Sequence, residues 1–458
     1  MPFDAFGEDV LLEILFFCDI CTVLAVSAIN KASHRIALSK QLWLSLVLDT
    51  RLREALELPP PNREKLECLS TEELIAVVKN AVAGPGSLWD SAHDESSSVT
   101  MTNVQIPMDD MERRPEARLL PGARYLLLHS TSTTRQRLYM YDIWSARRVW
   151  ERLVQARTIC KVDLVPGGTI ALVFFVQTVD HSNTYTLHVE EVDLATGASH
   201  ELFNFTLDSI VFGVTPCAIV GDILLVTVQH SRFMNAMFVV INWRASTFVS
   251  FDRNGLSYVQ LIPGYILSTY RETSPPRGQI LAATALEVFS DRWQLLTDDA
   301  AGLAALLEAG FPSTITIKSL NITMQESLEY SGRPIELIYV TPDPLCAGAY
   351  NIYVYGLQFL ERPHRPVTLI ERIGKRISTM AGIARQGEAR SVLVQAVLCY
   401  QFTPAMSAAG KGCSLRLISA RRVSNRAQAD CPRAMISLSQ GNSINVVYRE
   451  RKRTGVVG

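Results

Sequence analysis

Cys18 and Cys21 form a C-x-x-C pair, a spacing that can ligate zinc or cycle between dithiol and disulfide. No second Cys or His pair stands nearby at zinc-ligand spacing, and in so apolar a stretch two thiols pack as small hydrophobes. Nine cysteines, an odd number, are spread over 458 residues. Asp4, Glu8 and Asp9 occupy the flank where a signal peptide would carry Lys or Arg, so the thiols read as reduced and the protein as cytoplasmic, nuclear or both. The eight histidines are scattered, and His181 and His188 stand too far apart for a single-segment metal pair. G-x-S-x-G, H-E-x-x-H, P-loop and G-x-G-x-x-G signatures are absent, so no catalytic residue, metal or cofactor is expected.

Basic and acidic residues nearly balance, 44 against 45, which excludes a generic polyanion binder. The balance is uneven along the chain: residues 372–458 carry fifteen Lys/Arg and three Asp/Glu. Arg421, Arg422 and Arg426 are the candidate contacts for an acidic or phosphorylated partner. Arg449–Arg453 form a second basic run, with only Tyr448 as an aromatic companion. Single-strand nucleic-acid grooves interleave several aromatics with their cations, so nucleic acid is not the expected partner, and the run reads as a solvated tail or an import signal.

The elements that must position such residues begin with an apolar stretch, Phe6–Leu48. It divides into three short helical pieces, Val10–Phe17, Thr22–Ile29 and Lys31–Leu38, followed by Leu42-Trp43. Three helices this short cannot enclose a core of their own size, so part of their surface is meant for another protein. Val10–Ile29 is twenty residues long, but Glu13 and Asp19 near its centre make it a poor membrane span. The stretch Leu11-Leu12-Glu13-Ile14-Leu15, then Asp19, Val23–Ile29, and Leu42-Trp43 with Leu46 resembles an F-box. Phe6-Gly7 stands where that family opens with Leu-Pro. The resemblance covers roughly a tenth of the chain. It implies a module over residues 1–49 that docks onto a Skp-type adaptor and so onto a cullin–RING ubiquitin ligase. The residues matching the family's adaptor-facing or supporting pattern are Phe6, Ile14, Leu15, Leu24, Val26, Ile36, Leu42 and Trp43. Which face the adaptor and which hold the helices together stays open at this level.

Residues 50–98 read as a helical linker. Thr50–Leu58 is a polar helix ended by Pro59-Pro60-Pro61. A second helix opens on a Ser70/Glu73 capping box, carries an apolar stripe of Leu74, Val77, Val78 and Ala81, and stops at Gly84-Pro85. Trp89 is a candidate anchor between this linker and the β-rich remainder of the chain.

From residue 99 to 458 the pattern turns to short β-rich runs, among them Tyr125–His129, Arg137–Ile143, Ile170–Gln177, Thr184–Val192, Ile223–Val228 and Met237–Trp243. They repeat. Leu119–Gly122, Leu164–Gly167, Val220–Asp222 and Ile262–Gly264 each lead into a strand, and Asp142, Asp193 and Asn242 follow one another at 51 and 49 positions. Further units close near Glu287–Phe289, Val354–Gly356 and Arg416–Ile418, with a partial unit at Met435–Tyr448. Units of about fifty residues with several short strands are propeller blades, and each needs a neighbour on both sides, so the ring must close. The blades resemble degenerate WD-repeats, with Tyr141-Asp142-Ile143-Trp144 nearest the family's signature. Six to seven blades fit the spacing, the last strand coming from the region before Arg118. Thr297–Gly310 reads as a helix inserted between the fourth and fifth units, and Ala405–Gly412 as a Gly/Ala-rich loop.

The expectation is therefore a short helical F-box and linker followed by an all-β propeller. By resemblance the protein is the substrate-recognition subunit of a Skp–cullin–F-box ligase, or else an F-box scaffold without a ligase; the remaining alternative docks the N-terminal helices onto the protein's own propeller and places a ligand or enzyme site in the ring.

Overall fold

The computed structural model describes residues 6–83, 97–108, 115–131, 136–155, 158–165, 167–178, 184–207, 211–230, 236–252, 256–271, 279–296, 324–328, 337–360, 392–405, 413–423, 434–438 and 443–453. Among these, seven helices precede a ring of six sheets. No helix among the described residues is long and apolar enough to cross a membrane.

The helices are α1 (Glu8–Phe16), α2 (Ile20–Ser27), α3 (Lys31–Ala37), α4 (Lys40–Leu48), α5 (Thr50–Ala55), α6 (Arg63–Glu67) and α7 (Thr71–Ala83). Their boundaries follow from capping. The side chains of Asp19, Asn30, Asp49 and Asn62 accept backbone N–H groups in the first turns of α2, α3, α5 and α6. Before α7, Ser70 N donates to Glu73 and Glu73 N to the Ser70 hydroxyl, the reciprocal box that the sequence indicates.

Strand β1 (Ser97–Pro107) comes first and is set aside. Blade one is β2 (Glu116–Leu119), β3 (Tyr125–Thr131), β4 (Gln136–Asp142) and β5 (Arg147–Val154). Blade two is β6 (Ile159–Leu164), β7 (Ile170–Thr178), β8 (Tyr185–Asp193) and β9 (Ser199–Leu207). Blade three is β10 (Val211–Val220), β11 (Ile223–His230), β12 (Ala236–Asn242) and β13 (Thr247–Asp252). Blade four is β14 (Leu256–Ile262), β15 (Tyr265–Arg271), β16 (Gln279–Ala285) and β18 (Met324–Leu328), while the two-residue β17 (Gln294–Leu295) joins the outer edge of blade three. Blade five is β19 (Leu337–Pro342), β20 (Tyr350–Leu360), β21 (Val392–Thr403) and β22 (Ser414–Val423). Blade six is β23 (Ala434–Leu438) and β24 (Ser443–Arg453), completed by β1.

That last pairing closes the ring with a strand drawn from before the first blade, as the position of the partial unit predicts. Eleven residue pairs, Ser97↔Arg453 to Pro107↔Ser443, hold it in continuous register. Tyr448 on β24 is fully buried and its hydroxyl donates to the Ala123 carbonyl of blade one at 2.5 Å. The aromatic beside the basic run thus belongs to the ring's core. Arg449–Arg453 are part of the closing strand rather than a tail.

The repeated residues are turn chemistry. Gly122, Gly167, Gly221 and Gly264 all have positive φ between a blade's first and second strands, and Gly348 does the same in blade five. Asp142, Asp193 and Asn242 end third strands, where their side-chain oxygens accept from Trp144 N, Ala195 N and Ala245 N in the turn to the fourth. The recurring Asp/Asn is a local turn acceptor.

Two expectations about the second half of the ring need correction. Val354–Gly356 and Arg416–Ile418 are not the ends of two units: they lie on the second and fourth strands of one blade, blade five. Residues 361–391 stretch that blade between its second and third strands, so the fifty-residue spacing fails there. Residues 297–323 likewise fall within blade four, between β16 and β18, rather than between units four and five. The helix expected at Thr297–Gly310 lies outside the described residues, as do Trp89 and positions 406–412.

Candidate docking surface

The helical module has one core, and α4, α5 and α7 supply much of it. Leu15, Ile20, Val23, Ile36, Leu42, Trp43, Leu46, Val47, Leu52, Leu56, Leu74 and Val78 are buried together. Leu74 and Val78 come from the stripe on α7 that the sequence marks, so a single core runs from α1–α4 into α7. Trp43 is 2% exposed and its Nε1–H donates to the Ala37 carbonyl at 2.9 Å. This hydrogen bond satisfies the indole's polar group and fixes α4 against the end of α3.

The eight residues singled out in the sequence separate into three sets. Leu15, Ile36, Leu42 and Trp43 are buried. Val26 is half-buried. Phe6, Ile14 and Leu24 are large, apolar and exposed, Leu24 to 49%. Ile14, Leu15, Val26 and Ile36 also line an apolar groove of about 70 Å³ between α1, α2 and α3. Three exposed residues escaped the sequence reading: Val10, Ile29 and Phe17, which is 81% exposed. The signal for Phe17 was present in its position at the C-cap of α1, where a side chain leaves the helix stripe. On and beside α1 and α2, therefore, the module presents large apolar side chains that its own core does not cover.

The opposite flank is sealed on the ring. Glu54 of α5 is buried, with Oε1 accepting from Arg124 Nη1 at 2.9 Å and Oε2 from Gly167 N at 2.6 Å. Arg124 also donates through Nε to Asp142 Oδ1 at 3.2 Å and lies over the Trp144 ring. Burial by itself would pull the Arg124 guanidinium down, but hydrogen bonds to Asp142 and Glu54 outweigh it and hold the pKa above the usual arginine range. The glycine turns make the approach possible: a Cβ on Gly122 would stand 3.2 Å from Glu54 Cβ, and one on Gly167 would overlap Arg51. The Tyr339 hydroxyl of blade five donates to Glu57 Oε1 at 3.4 Å. A cavity of about 30 Å³ remains in this junction, lined among others by Glu54, Glu57, Tyr125 and Pro342. It has room for roughly two waters.

The module has a second attachment at blade five. Cys21 N donates to the Leu345 carbonyl at 3.0 Å, Ala347 N donates to Asp19 Oδ2 at 2.8 Å, and Leu345 packs on the module's core. Between those two hydrogen bonds, Cys21 is disulfide-bonded to Cys346. The reading of every cysteine as a reduced thiol is thus overturned at this pair. Its partner lies 325 positions away, beyond any spacing rule. Cys18 remains a free thiol.

On the ring, Arg421 and Arg422 sit on β22, opposite Val397 and Ala396, and this strand is the outer edge of blade five. Arg426 lies outside the described residues. His188 is buried: its Nδ1 meets Glu201 Oε2 at 2.9 Å, its Nε2 meets the Thr186 hydroxyl at 3.0 Å, and its ring stacks on Phe175.

No protein-family model matches the chain, and no curated protein does. Solved structures do. The WD40 domain of SCAP from fission yeast is 11% identical over 74% of this chain and 85% of that one, with a TM-score of 0.24. The β-propeller domain of the Trilobed protease from Pyrococcus furiosus is 10% identical over 68% and 81%, with a TM-score of 0.28. A member of the duf4221 family from Bacteroides vulgatus is 7% identical over 78% and 99%, with a TM-score of 0.27. At such scores the likeness carries no argument of its own. The six-bladed β-propeller stands on the sheet order and the β1–β24 closure.

Proposed function

We propose that the helical module docks onto a Skp-type adaptor and that the propeller holds a target protein, making the chain the substrate-recognition subunit of a cullin–RING ubiquitin ligase. The observation that carries this reading is the exposure of Phe6, Ile14, Phe17 and Leu24 on and beside α1 and α2, with Ile14 also lining the groove between α1, α2 and α3. A module able to bury Leu42 and Trp43 leaves these large apolar side chains in solvent, as a docking face does. The protein does no chemistry itself in this reading. It raises the effective concentration of a target beside the conjugating enzyme. The target would be acidic or phosphorylated if Arg421, Arg422 and Arg426 meet it. The place of action would be the cytoplasm, the nucleus or both.

The test is capture of a purified Skp-type adaptor by the full chain, followed by addition of the cullin. Binding is expected for the wild type and lost in Ile14→Asp/Leu24→Asp, with the circular dichroism of the strands unchanged. Leu15 is unsuited to this test, because an Asp there would unfold the module's core. Absence of adaptor binding by the wild type removes the ligase reading. Adaptor binding without cullin recruitment favours the F-box scaffold without a ligase.

A further inference from the structure

We propose that Cys21 and Cys346 form a reversible redox latch that fastens helix α2 to blade five and, when reduced, lets that end of the module leave the ring. The two cysteines sit at the centre of a small, built junction. Residues 19–21 grip residues 345–347 through Asp19–Ala347, Cys21–Leu345 and the disulfide between them, with Cα atoms 5.6 Å apart. That separation is in the ordinary range for a disulfide, so the backbone needs no rearrangement to form it. Both cysteines are half-buried, and the next two residues of the loop, Ala347 and Gly348, are exposed. The bond therefore lies close enough to solvent for a small thiol to reach it.

Reduction proceeds by exchange with a dithiol. One thiolate of the dithiol attacks Cys346 Sγ, the Cys21–Cys346 bond breaks, and Cys21 leaves as a thiolate that takes a proton. The second thiol of the dithiol then closes its own disulfide and releases Cys346, so two electrons pass from the dithiol to the latch. Oxidised glutathione drives the reverse reaction. Cys18 stands three positions before Cys21 but does not serve as an internal trigger. Its thiol donates to the Ile14 carbonyl at 3.3 Å, and burial together with the neighbouring Asp19 carboxylate pushes its pKa up, keeping it protonated and unreactive.

Opening is confined to one attachment. Without the bond, α2 keeps only two hydrogen bonds and the Leu345 side chain on blade five among the described residues, whereas α5 stays seated through Glu54, Arg124 and Gly167. The latch thus controls how rigidly the apolar surface of α1 and α2 is carried by the ring. It stands apart from the adaptor reading, because it is measured on the isolated full chain.

The experiment equilibrates the purified chain in glutathione buffers from fully reduced to fully oxidised, alkylates the free thiols and digests it for mass spectrometry. A peptide linking Cys21 to Cys346 is expected in oxidised buffer, lost with dithiothreitol and regained on reoxidation, with the same midpoint in Cys18→Ser. Hydrogen exchange should rise about tenfold in residues 19–27 and 345–349 on reduction while residues 50–57 and blade one do not change. Cys346→Ser should exchange like the reduced wild type under both conditions. Complete alkylation of Cys21 and Cys346 in oxidised buffer overturns the proposal. So does exchange in Cys346→Ser that matches the oxidised wild type.

Discussion

Helices α1, α2 and α4 of the module are all rich in apolar residues, and its two flanks are put to different use. On the flank made by α4 and α5, Leu42, Trp43, Leu46 and Leu52 are buried, and Glu54 ties the helix to two blades. On the flank made by α1 and α2, Phe6, Val10, Ile14, Phe17 and Leu24 remain in solvent. Their place relative to the module's own core separates them: Leu42, Trp43, Leu46 and Leu52 lie in it, and the exposed set lies outside it. The α5 flank faces ring turns whose glycines let a backbone come close, and where α2 meets the ring it does so through residues 19–21, at its N-terminal end. An apolar run thus favours burial, and the packing of the whole module determines which of its residues are covered.

The largest effect that would test this contrast comes from two aromatics. Trp43→Ala should cost about 3–5 kcal/mol, through the lost volume and the unpaired Ala37 carbonyl, whereas Phe17→Ala should fall within about 0.5 kcal/mol of wild type. Thermal denaturation of both variants measures the difference, and equal losses would erase the distinction between the flanks. Next is the seal itself. Glu54→Ala removes two acceptors and leaves Arg124 half-paired in a buried junction, a loss of roughly 3 kcal/mol. Urea unfolding should register that loss, and a midpoint unmoved from wild type would mean that the module is not seated by charge.

Smaller effects distinguish turns that touch the module from turns that do not. Gly122 and Gly264 both have positive φ, but a Cβ on Gly122 meets Glu54 and one on Gly264 meets open space. Both alanine variants should lose about 1–2 kcal/mol from the left-handed backbone. Gly122→Ala should lose more, because Glu54 must also give way, and the reverse order in thermal unfolding would contradict the α5 contact.

The smallest predicted effect is on pH. Burial pushes the Asp19 carboxyl up, but hydrogen bonds from Thr22 and Ala347 outweigh it and hold its pKa below the ordinary carboxylate value. A group depressed in the folded state stabilises above its unfolded pKa. That contribution is lost as the pH falls through the folded value, below about pH 4. The protection of residues 345–349, taken relative to the intrinsic exchange rate at each pH, should therefore fall on acidification, and more in Cys346→Ser than in the disulfide-bonded wild type. Protection in this loop that stays constant down to about pH 3 would remove Asp19 from the attachment.

Much of the fold was legible because its signals are local. The capping box at Ser70 and Glu73, the stripe on α7, the glycine turns and the Asp142, Asp193 and Asn242 acceptors all act within a few residues of themselves. The closing strand before Arg118 was legible for a different reason: a ring with an incomplete last blade needs a strand from somewhere. Legibility failed where insertions broke the period, in blades four and five, since spacing is informative only while the units keep one length. It failed again in the candidate site, where Leu15 and Ile14 are neighbours of the same type and only one is buried.

The chain's own pattern was enough to determine helices, then blades, then closure, because periodicity and turn chemistry are properties of short segments. Only the tertiary structure decided which apolar residues stay uncovered, that Glu54 meets Arg124, and that Cys21 finds Cys346. Those outcomes depend on which surfaces the closed ring brings together, and residues 70 or 325 positions apart carry no local sign that they will meet.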